Sequence, residues 1–427
     1  MANKNNIRVK KWKIIVSLLI LCLLAVTHIF ADKIETMIGY NEEFASHQNT
    51  REAVEGSSYY VSYIDVGQGN SSFVKLPDGK TVLIDGGDKE FGENVGEFLR
   101  DRNISQIDYL IATHSDSDHI GGLEYVLKNF EFKQIYRPFQ ISMNSNNTVY
   151  EYEDLKEAYE YATEQGITKI SKVTTSVYRN FIKGIYDETY TVDGTALETK
   201  ICVFYDGLKI TGENYEIEFF GPLKANVDID FSKNDLTTET EGFATVGYGV
   251  SNANDCSSIF TLTCYEDKYL FMGDARFTDT DLNDRDYSEW DFLESLTNEE
   301  KTKLAEVDVL LLPHHGSKYS SCDELLEIVL PRFVVVSAGK DNKYGHPHDE
   351  VLERLTKINS LEADYMLRTD EMGDVSFSNV AGNLNYYIEK QGNEAKIGIS
   401  FRLLTAIVAC SIIMLIFSIR PKKRKRR

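Results

Sequence analysis

Thr113-His114-Ser115-Asp116-Ser117-Asp118-His119, set directly behind the apolar run Ile107-Asp108-Tyr109-Leu110-Ile111-Ala112, packs four potential metal ligands into six residues. In extended chain alternate residues point oppositely, so a loop leaving a buried strand can aim His114 and Asp116 to one side and Asp118 and His119 to the other. That arrangement suits two adjacent cations. Carboxylate oxygen mixed with imidazole nitrogen favours zinc, manganese or iron over calcium, which takes oxygen ligands. A solvated acidic turn ahead of a helix would leave the same local string, so the downstream residues decide.

The chain has eight histidines, at 28, 47, 114, 119, 314, 315, 346 and 348, and six of them fall into three short clusters. Tyr269-Leu270-Phe271-Met272-Gly273-Asp274 ends another apolar run in a carboxylate that could bridge two metals. Val307-Asp308-Val309-Leu310-Leu311-Leu312-Pro313 leads into His314-His315-Gly316-Ser317, and Phe333-Val334-Val335-Val336-Ser337 precedes Tyr344-Gly345-His346-Pro347-His348. Four strand-like runs that each deliver acid or imidazole at their end describe one site at one edge of a sheet. Neighbours on an extended chain face opposite ways, which leaves open whether His314 or His315 faces the metals. His348 reads as a surface residue.

In these features the chain resembles the metallo-β-lactamase superfamily, and within it the catalytic domain of ComEC-type DNA-uptake proteins. Asp65-Val66-Gly67-Gln68-Gly69-Asn70 looks like that branch's opening motif, and Thr81-Val82-Leu83-Ile84-Asp85-Gly86-Gly87 like the superfamily's first motif. The run from His114 to His119 is similar to the branch's metal motif. Asn254-Asp255-Cys256-Ser257, Gly273-Asp274-Ala275, His314-His315-Gly316-Ser317 and Tyr344-Gly345-His346-Pro347 follow in the family's order, so the likeness spans about residues 59–387. It implies an α/β protein, an αββα sandwich holding two divalent metal ions, Zn or Mn. His114, Asp116 and His315 would serve one metal, and Asp118, His119 and His346 the other, with Asp274 bridging. Asp118 and His314 would carry the catalysis, His314 giving a hydrogen bond or proton to the leaving oxygen. Asp65, Asp85, Asn254 and Ser257 would stand just outside the ligands, orienting them. There are departures: Asp116 replaces the second histidine of the commoner motif, Asn70 replaces an acid, and the segment 254–257 stands where a mid-domain metal histidine is usual.

Residues 14–30 are uncharged and apolar behind Lys4, Arg8, Lys10, Lys11 and Lys13, and residues 403–419 are apolar ahead of Arg420 and the basic run 422–427. Both read as membrane spans. Basic flanks at both ends place the termini in the cytoplasm and the intervening domain outside the cell. The expected organisation is a basic segment and anchor over 1–31, a stalk over 32–58, the metal-binding domain over 59–390 with an insertion near 135–250, a linker over 391–402, the second span over 403–419 and a basic tail over 420–427. All 67 acidic residues but only 34 of the 46 basic ones lie between the spans, so the outer domain is near −33. Nucleic-acid affinity rests on phosphate neutralisation, and this balance weighs against it except where metals or local lysines offset the charge.

Four cysteines outside the spans, 202, 256, 264 and 322, show no paired metal or redox spacing and read as buried thiols, with 256 and 264 expected on one strand. Helices are expected over 92–102, 121–130 and 352–358. Strands are expected over 59–66, 71–76, 80–85, 173–178, 199–205 and 215–220, and a closing hairpin over 374–377 and 384–388.

The motifs together imply a membrane-anchored extracellular metallohydrolase acting on a phosphodiester-containing substrate, DNA or a cell-wall polymer, with no stable protein partner. A surface phosphodiesterase on teichoic-acid or phosphocholine groups and a noncatalytic surface-binding module are the competing readings. These 427 residues leave no room for a many-span channel, so DNA import by the chain alone is not expected.

Overall fold

Leu83, Leu310 and Val334 lie in short runs of branched residues that are buried on both faces, the pattern of interior strands covered on each side, and Leu110 lies in a neighbouring run that is half-buried on its first residues. In the computed structural model these runs align in parallel, Thr81–Ile84 beside Gln106–Ile111 and Val309–Leu311 beside Phe333–Val336. The structure describes residues 51–138, 140–142, 171–173, 175–221, 253–278, 288–305, 307–357, 365–380 and 382–389.

Two large sheets form among the described residues. The first, eight-stranded, runs Lys200–Val203, Glu131–Arg137, Gln106–Ile111, Thr81–Ile84, Ser72–Lys75, Tyr60–Tyr63, Val375–Val380, Asn383–Ile388. The second, seven-stranded, runs Lys209–Gly212, Tyr215–Phe219, Phe260–Cys264, Asp267–Phe271, Val309–Leu311, Phe333–Val336, Met366–Arg368. Alternation along each strand sends one set of side chains to helices and the other to the facing sheet. On the first sheet Leu83, Leu110 and Phe132 share a core with Val95 and Leu99 of helix Gly92–Asp101, Val126 of Leu123–Asn129 and Phe181 of Ser176–Tyr186. On the second, Leu270, Leu310 and Val334 pack with Phe292 of Ser288–Ser295, Leu325 of Asp323–Val329 and Val351 of Asp349–Thr356. Between the sheets lies an aromatic layer, including Tyr63 on Phe271 at 6.0 Å, Tyr136 on Phe219 at 6.2 Å and Tyr269 on Phe377 at 6.5 Å. The layers are thus helix, sheet, sheet, helix, the expected αββα sandwich.

Some boundaries differ from expectation. The end of the expected stalk is part of the fold: Arg51–Glu55 is helical, Val54 is fully buried, and Glu55 pairs with Arg102 at 2.7 Å. Residues 173–178 are not one strand; Thr175 caps the helix Ser176–Tyr186, which buries Tyr178, Phe181, Ile182 and Ile185 at helical spacing. Part of the expected insertion belongs to the main sheets, since Lys200–Val203 extends the first and Tyr215–Phe219 lies within the second, while Gln140–Ser142 with Ser171–Val173 and Thr189–Val192 with Thr195–Glu198 form two small sheets of their own. Cys256 sits in a turn and Cys264 on the next strand, and the four cysteines of the described residues are buried thiols. No helix among the described residues is long and apolar enough to cross a membrane. The apolar runs 14–30 and 403–419, the linker 391–402 and the tail 420–427 lie outside the described residues.

Candidate metal centre

The parallel strands of both sheets finish at one end of the sandwich, and the chemistry-bearing residues follow them directly, where ligand sites of α/β sheets form. Gln106–Ile111 leads to His114. Asp116 is then extended and starts the short turn Ser117–Ile120, which carries Asp118 and His119. This turn is braced from the first loop: Asn70 N–H donates to the Asp118 carbonyl at 3.1 Å, and a Cβ on Gly69 would come within 2.3 Å of that oxygen.

Asp85, following Thr81–Ile84, orients the cluster from behind. Its carboxylate accepts from Thr113 N–H at 2.8 Å and Thr113 Oγ1 at 2.7 Å, and lies 2.7 Å from His119 Nδ1. His119 donates from Nδ1 to that acid, which leaves Nε2 facing inward. His315 is set the same way, because its Nδ1 lies 2.9 Å from the Ser337 carbonyl, which can only accept. Asp274 leaves the strand Asp267–Phe271 through Gly273, and its N–H donates to Ser257 Oγ at 3.0 Å.

Asp274 is the centre of the arrangement. Its Oδ1 lies 3.0 Å from His119 Nε2, and its Oδ2 lies 3.8, 3.7 and 3.6 Å from Nε2 of His114, His314 and His315. His114 Nε2 is also 3.8 Å from Asp116 Oδ2, and His315 Nε2 is 3.4 Å from Asp118 Oδ2. His114, His119, Asp274 and Asp118, His119, His315 each bring three ligand atoms within 4.8 Å of one another. His114 Nε2 and His315 Nε2 are buried without a hydrogen-bond partner, and His119 Nε2 and Asp274 Oδ1, equally buried, face each other at 3.0 Å. Such orphaned atoms cost about 1–3 kcal/mol each. Four buried donor atoms converging on one space, two of them orphaned, fit cations, and the nitrogen and oxygen donor set fits Zn, Mn or Fe.

The electrostatics agree. Burial, reinforced by the neighbouring His119, pushes His114 down to about 4, while burial and Asp274 push Asp116 up to about 6. Burial also raises Asp118, but the adjoining His315 imidazole at 3.4 Å and the His119 charge outweigh it and bring this acid down to about 2. Burial lowers His119, yet Asp274 and Asp85 together hold it well above the usual imidazole range.

The grouping differs from the expected one in the last two histidines. His315 stands with Asp118 and His119, and His346 belongs to neither ligand group. His346 instead stacks on His315 at 6.0 Å with Nδ1 3.3 Å from Gln68 Nε2. His314 is partly exposed, with Nε2 3.4 Å from the Asn254 amide. Asp65 acts on the opening loop, accepting from Gly67 N–H at 3.3 Å while its own N–H donates to Asp374 at 2.8 Å. His348 accepts from Lys318 N–H at 3.2 Å. Thr113 and Gln68 were not singled out from sequence, although Gln68 lies inside the opening motif; the Ser337 carbonyl leaves no sequence signal.

A two-lobed acid and imidazole shell at the strand ends of an αββα sandwich defines a metallohydrolase class. The chain belongs to the Metallo-beta-lactamase superfamily, which residues 64–340 match. It is similar to ComE operon protein 3 of Bacillus subtilis (strain 168), 27% identical over 350 residues that cover 77% of this chain and 34% of the relative. It is also similar to Recombination protein 2 of Haemophilus influenzae, 21% identical over 308 residues covering 71% of this chain and 27% of the relative. These relatives bear out the ComEC-type resemblance, and the chain spans only about a third or less of their length. Among solved structures, the metallo-beta-lactamase fold protein YhfI from Bacillus subtilis matches at 10% identity and a TM-score of 0.35, covering 73% of this chain and 95% of that one.

Proposed function

We propose that this protein is a metal-dependent phosphodiesterase of the nuclease type, anchored in the cell membrane with its catalytic domain outside. The observation that carries the proposal is the convergence of His114, His119 and His315 Nε2 with Asp274 Oδ1, all buried, on one space. Two divalent ions held there would activate water and offset charge on the phosphoryl oxygens. His114, Asp116 and Asp274 would hold one ion, and Asp118, His119, His315 and Asp274 the other. Asp85 and the Ser337 carbonyl keep the outer nitrogens of His119 and His315 engaged, so both rings present Nε2 inward. His314, the partly exposed imidazole beside Asp274, would give a hydrogen bond or proton to the leaving oxygen, its burial holding it below the usual imidazole range and so making it a ready donor, and the Asn254 amide lies against its ring. The name of Recombination protein 2 supports nucleic acid as substrate. The basic flanks of residues 14–30 and 403–419 support the topology.

The test is hydrolysis of bis(p-nitrophenyl) phosphate by the full-length chain with Zn or Mn, compared with Asp274→Ala. Metal-dependent turnover that the variant lacks is expected; no turnover with either metal, or an equally active variant, overturns the proposal. The acidic balance of 34 basic against 67 acidic residues supports a second reading, a surface phosphodiesterase for zwitterionic phosphocholine groups. Preference for p-nitrophenylphosphocholine over nucleotide esters would select it. Labelling of engineered cysteines in intact cells tests the topology, and protection throughout residues 59–390 would refute an external domain.

A further inference from the structure

Beside the metal centre the loop 339–346 is held as one rigid piece by the Asn342 side chain. It donates to the carbonyls of Gly339 at 2.9 Å and His346 at 2.7 Å, and accepts from the N–H groups of Tyr344 at 3.2 Å and His346 at 2.9 Å. Gln68, from the opening motif, reaches across to His346 Nδ1 at 3.3 Å and accepts from Gly339 N–H at 3.3 Å. On this frame Tyr344 stacks against His346, ring centroids 5.5 Å apart and planes within 20°, and His346 stacks in turn on His315 at 6.0 Å and 23°. Tyr344 is 52% exposed, the most exposed large hydrophobic side chain among the described residues. Lys343 Nζ lies 4.9 Å from its ring centre. The fold therefore spends three side chains, Asn342, Gln68 and His346, on holding a solvent-facing aromatic two ring-steps from a metal-centre histidine.

We infer that Tyr344, backed by His346, is a stacking platform for a base of a single nucleic-acid strand whose phosphodiester lies at the metal centre, with Lys343 contacting a neighbouring phosphate. The inference rests on the phosphodiesterase reading above and adds the subsite that recognises the substrate. Every base presents a π face, so one rigid aromatic ring binds strands without regard to sequence. Because the ring is already fixed, little side-chain freedom is lost on binding. Lys343 separates this ligand from a choline group, since an ammonium beside the ring repels a trimethylammonium and attracts a phosphate. It also supplies positive charge at the one place where an acidic domain must receive a polyanion.

The test has two arms on the full-length chain. In the first, a fluorescent oligothymidylate is titrated by anisotropy against wild type, Tyr344→Ala and Tyr344→Phe, with no turnover required. Tyr344→Ala should weaken binding about tenfold and Tyr344→Phe should restore most of the loss. In the second, kcat/KM is measured for thymidine 5′-(p-nitrophenyl phosphate) and for methyl p-nitrophenyl phosphate, and their ratio should fall about tenfold in Tyr344→Ala alone. Unaltered oligonucleotide affinity in Tyr344→Ala, or no binding by wild type, overturns the platform. A Phe variant as defective as Ala also overturns it, as does a Tyr344-dependent preference for p-nitrophenylphosphocholine. Wild type that binds the oligonucleotide through Tyr344 but hydrolyses neither ester would refute the phosphodiesterase reading and retain the platform. Turnover of both esters with a ratio indifferent to Tyr344 would do the reverse.

Discussion

Asp85→Asn should weaken metal binding roughly 10–100-fold, about 1.4–2.8 kcal/mol, although Asp85 is itself no ligand. Asp85 is buried with φ near 56°, a left-handed conformation that asparagine adopts as readily as aspartate, so the exchange adds no backbone strain. Asparagine keeps an oxygen for the 2.8 Å bond from Thr113 N–H but turns an amide N–H₂ toward Thr113 Oγ1 and His119 Nδ1, each now 2.7 Å from a carboxylate oxygen. His119 must then either face donor with donor or move its proton to Nε2, the atom the centre needs bare. Either course loses a charge-assisted hydrogen bond of about 1.5–3 kcal/mol, which the metal-bound state must absorb. Competition against a chromophoric chelator measures the affinity directly, and melting of the metal-free proteins shows whether both still fold. A folded variant binding Zn or Mn within twofold of wild type would refute the claim that Asp85 sets the His119 ring.

Gly69→Ala should displace the Asp118 turn, because the new methyl would meet the Asp118 carbonyl at 2.3 Å; isothermal titration should show metal affinity reduced at least tenfold, and unchanged affinity would exclude this brace. Burial first, then the Glu389 charge, raises Asp374 from 3.8 to about 6, so between these values the folded chain binds its proton more tightly than the unfolded chain. That acid therefore costs stability above pH 6, and the cost fades as pH falls toward 4. Asp374→Asn, which keeps the oxygen accepting from Asp65 N–H, should gain about 1–2 kcal/mol in denaturant melts at pH 7.5 and little at pH 4. An equal gain at both would refute the titration account. Zn or Mn at about 100 times its Kd should stabilise the protein by about 2.7 kcal/mol in thermal melts, reversed by chelation, and no shift would contradict a metal centre.

The acid and imidazole cluster from His114 to His119 was legible because it is contiguous and follows an unmistakable buried run. The sandwich was legible because its interior strands, such as Phe333–Val336, are short, branched and separated by turns. The partner of His315 was not, and the reason is local. His314 (φ 52°, ψ 40°) and His315 (φ 56°, ψ 21°) are both left-handed, so the alternation of an extended chain does not apply to them. Two successive non-glycine residues in that region cost of order 1–3 kcal/mol each, a strain characteristic of functional turns that composition does not reveal. Helix Ser176–Tyr186 was missed because its Val177, Tyr178, Phe181 and Ile182 also suit a strand, and only the spacing of buried positions and the Thr175 cap separate the two. Which sheet the segment 200–219 joins depends on long-range pairing with residues 134–137 and 260–264, which no local pattern encodes.

At the far end of the sandwich Tyr59 OH donates to Asp267, which also accepts from Asn379 Nδ2 at 2.9 Å. Tyr59 and Asn379 belong to the side of the first sheet, whereas Asp267 opens the very strand of the second that delivers Asp274 to the metal centre, about 20 Å away. Each sheet thus contributes to both ends. Filled with metal, the centre acts as a clasp and the buried tyrosine cluster as a hinge. Stripping the ions should let the two leaves loosen at the clasp first, with amide exchange quickening around residues 114–119 and 314–317 while the strands beside Tyr59 stay protected.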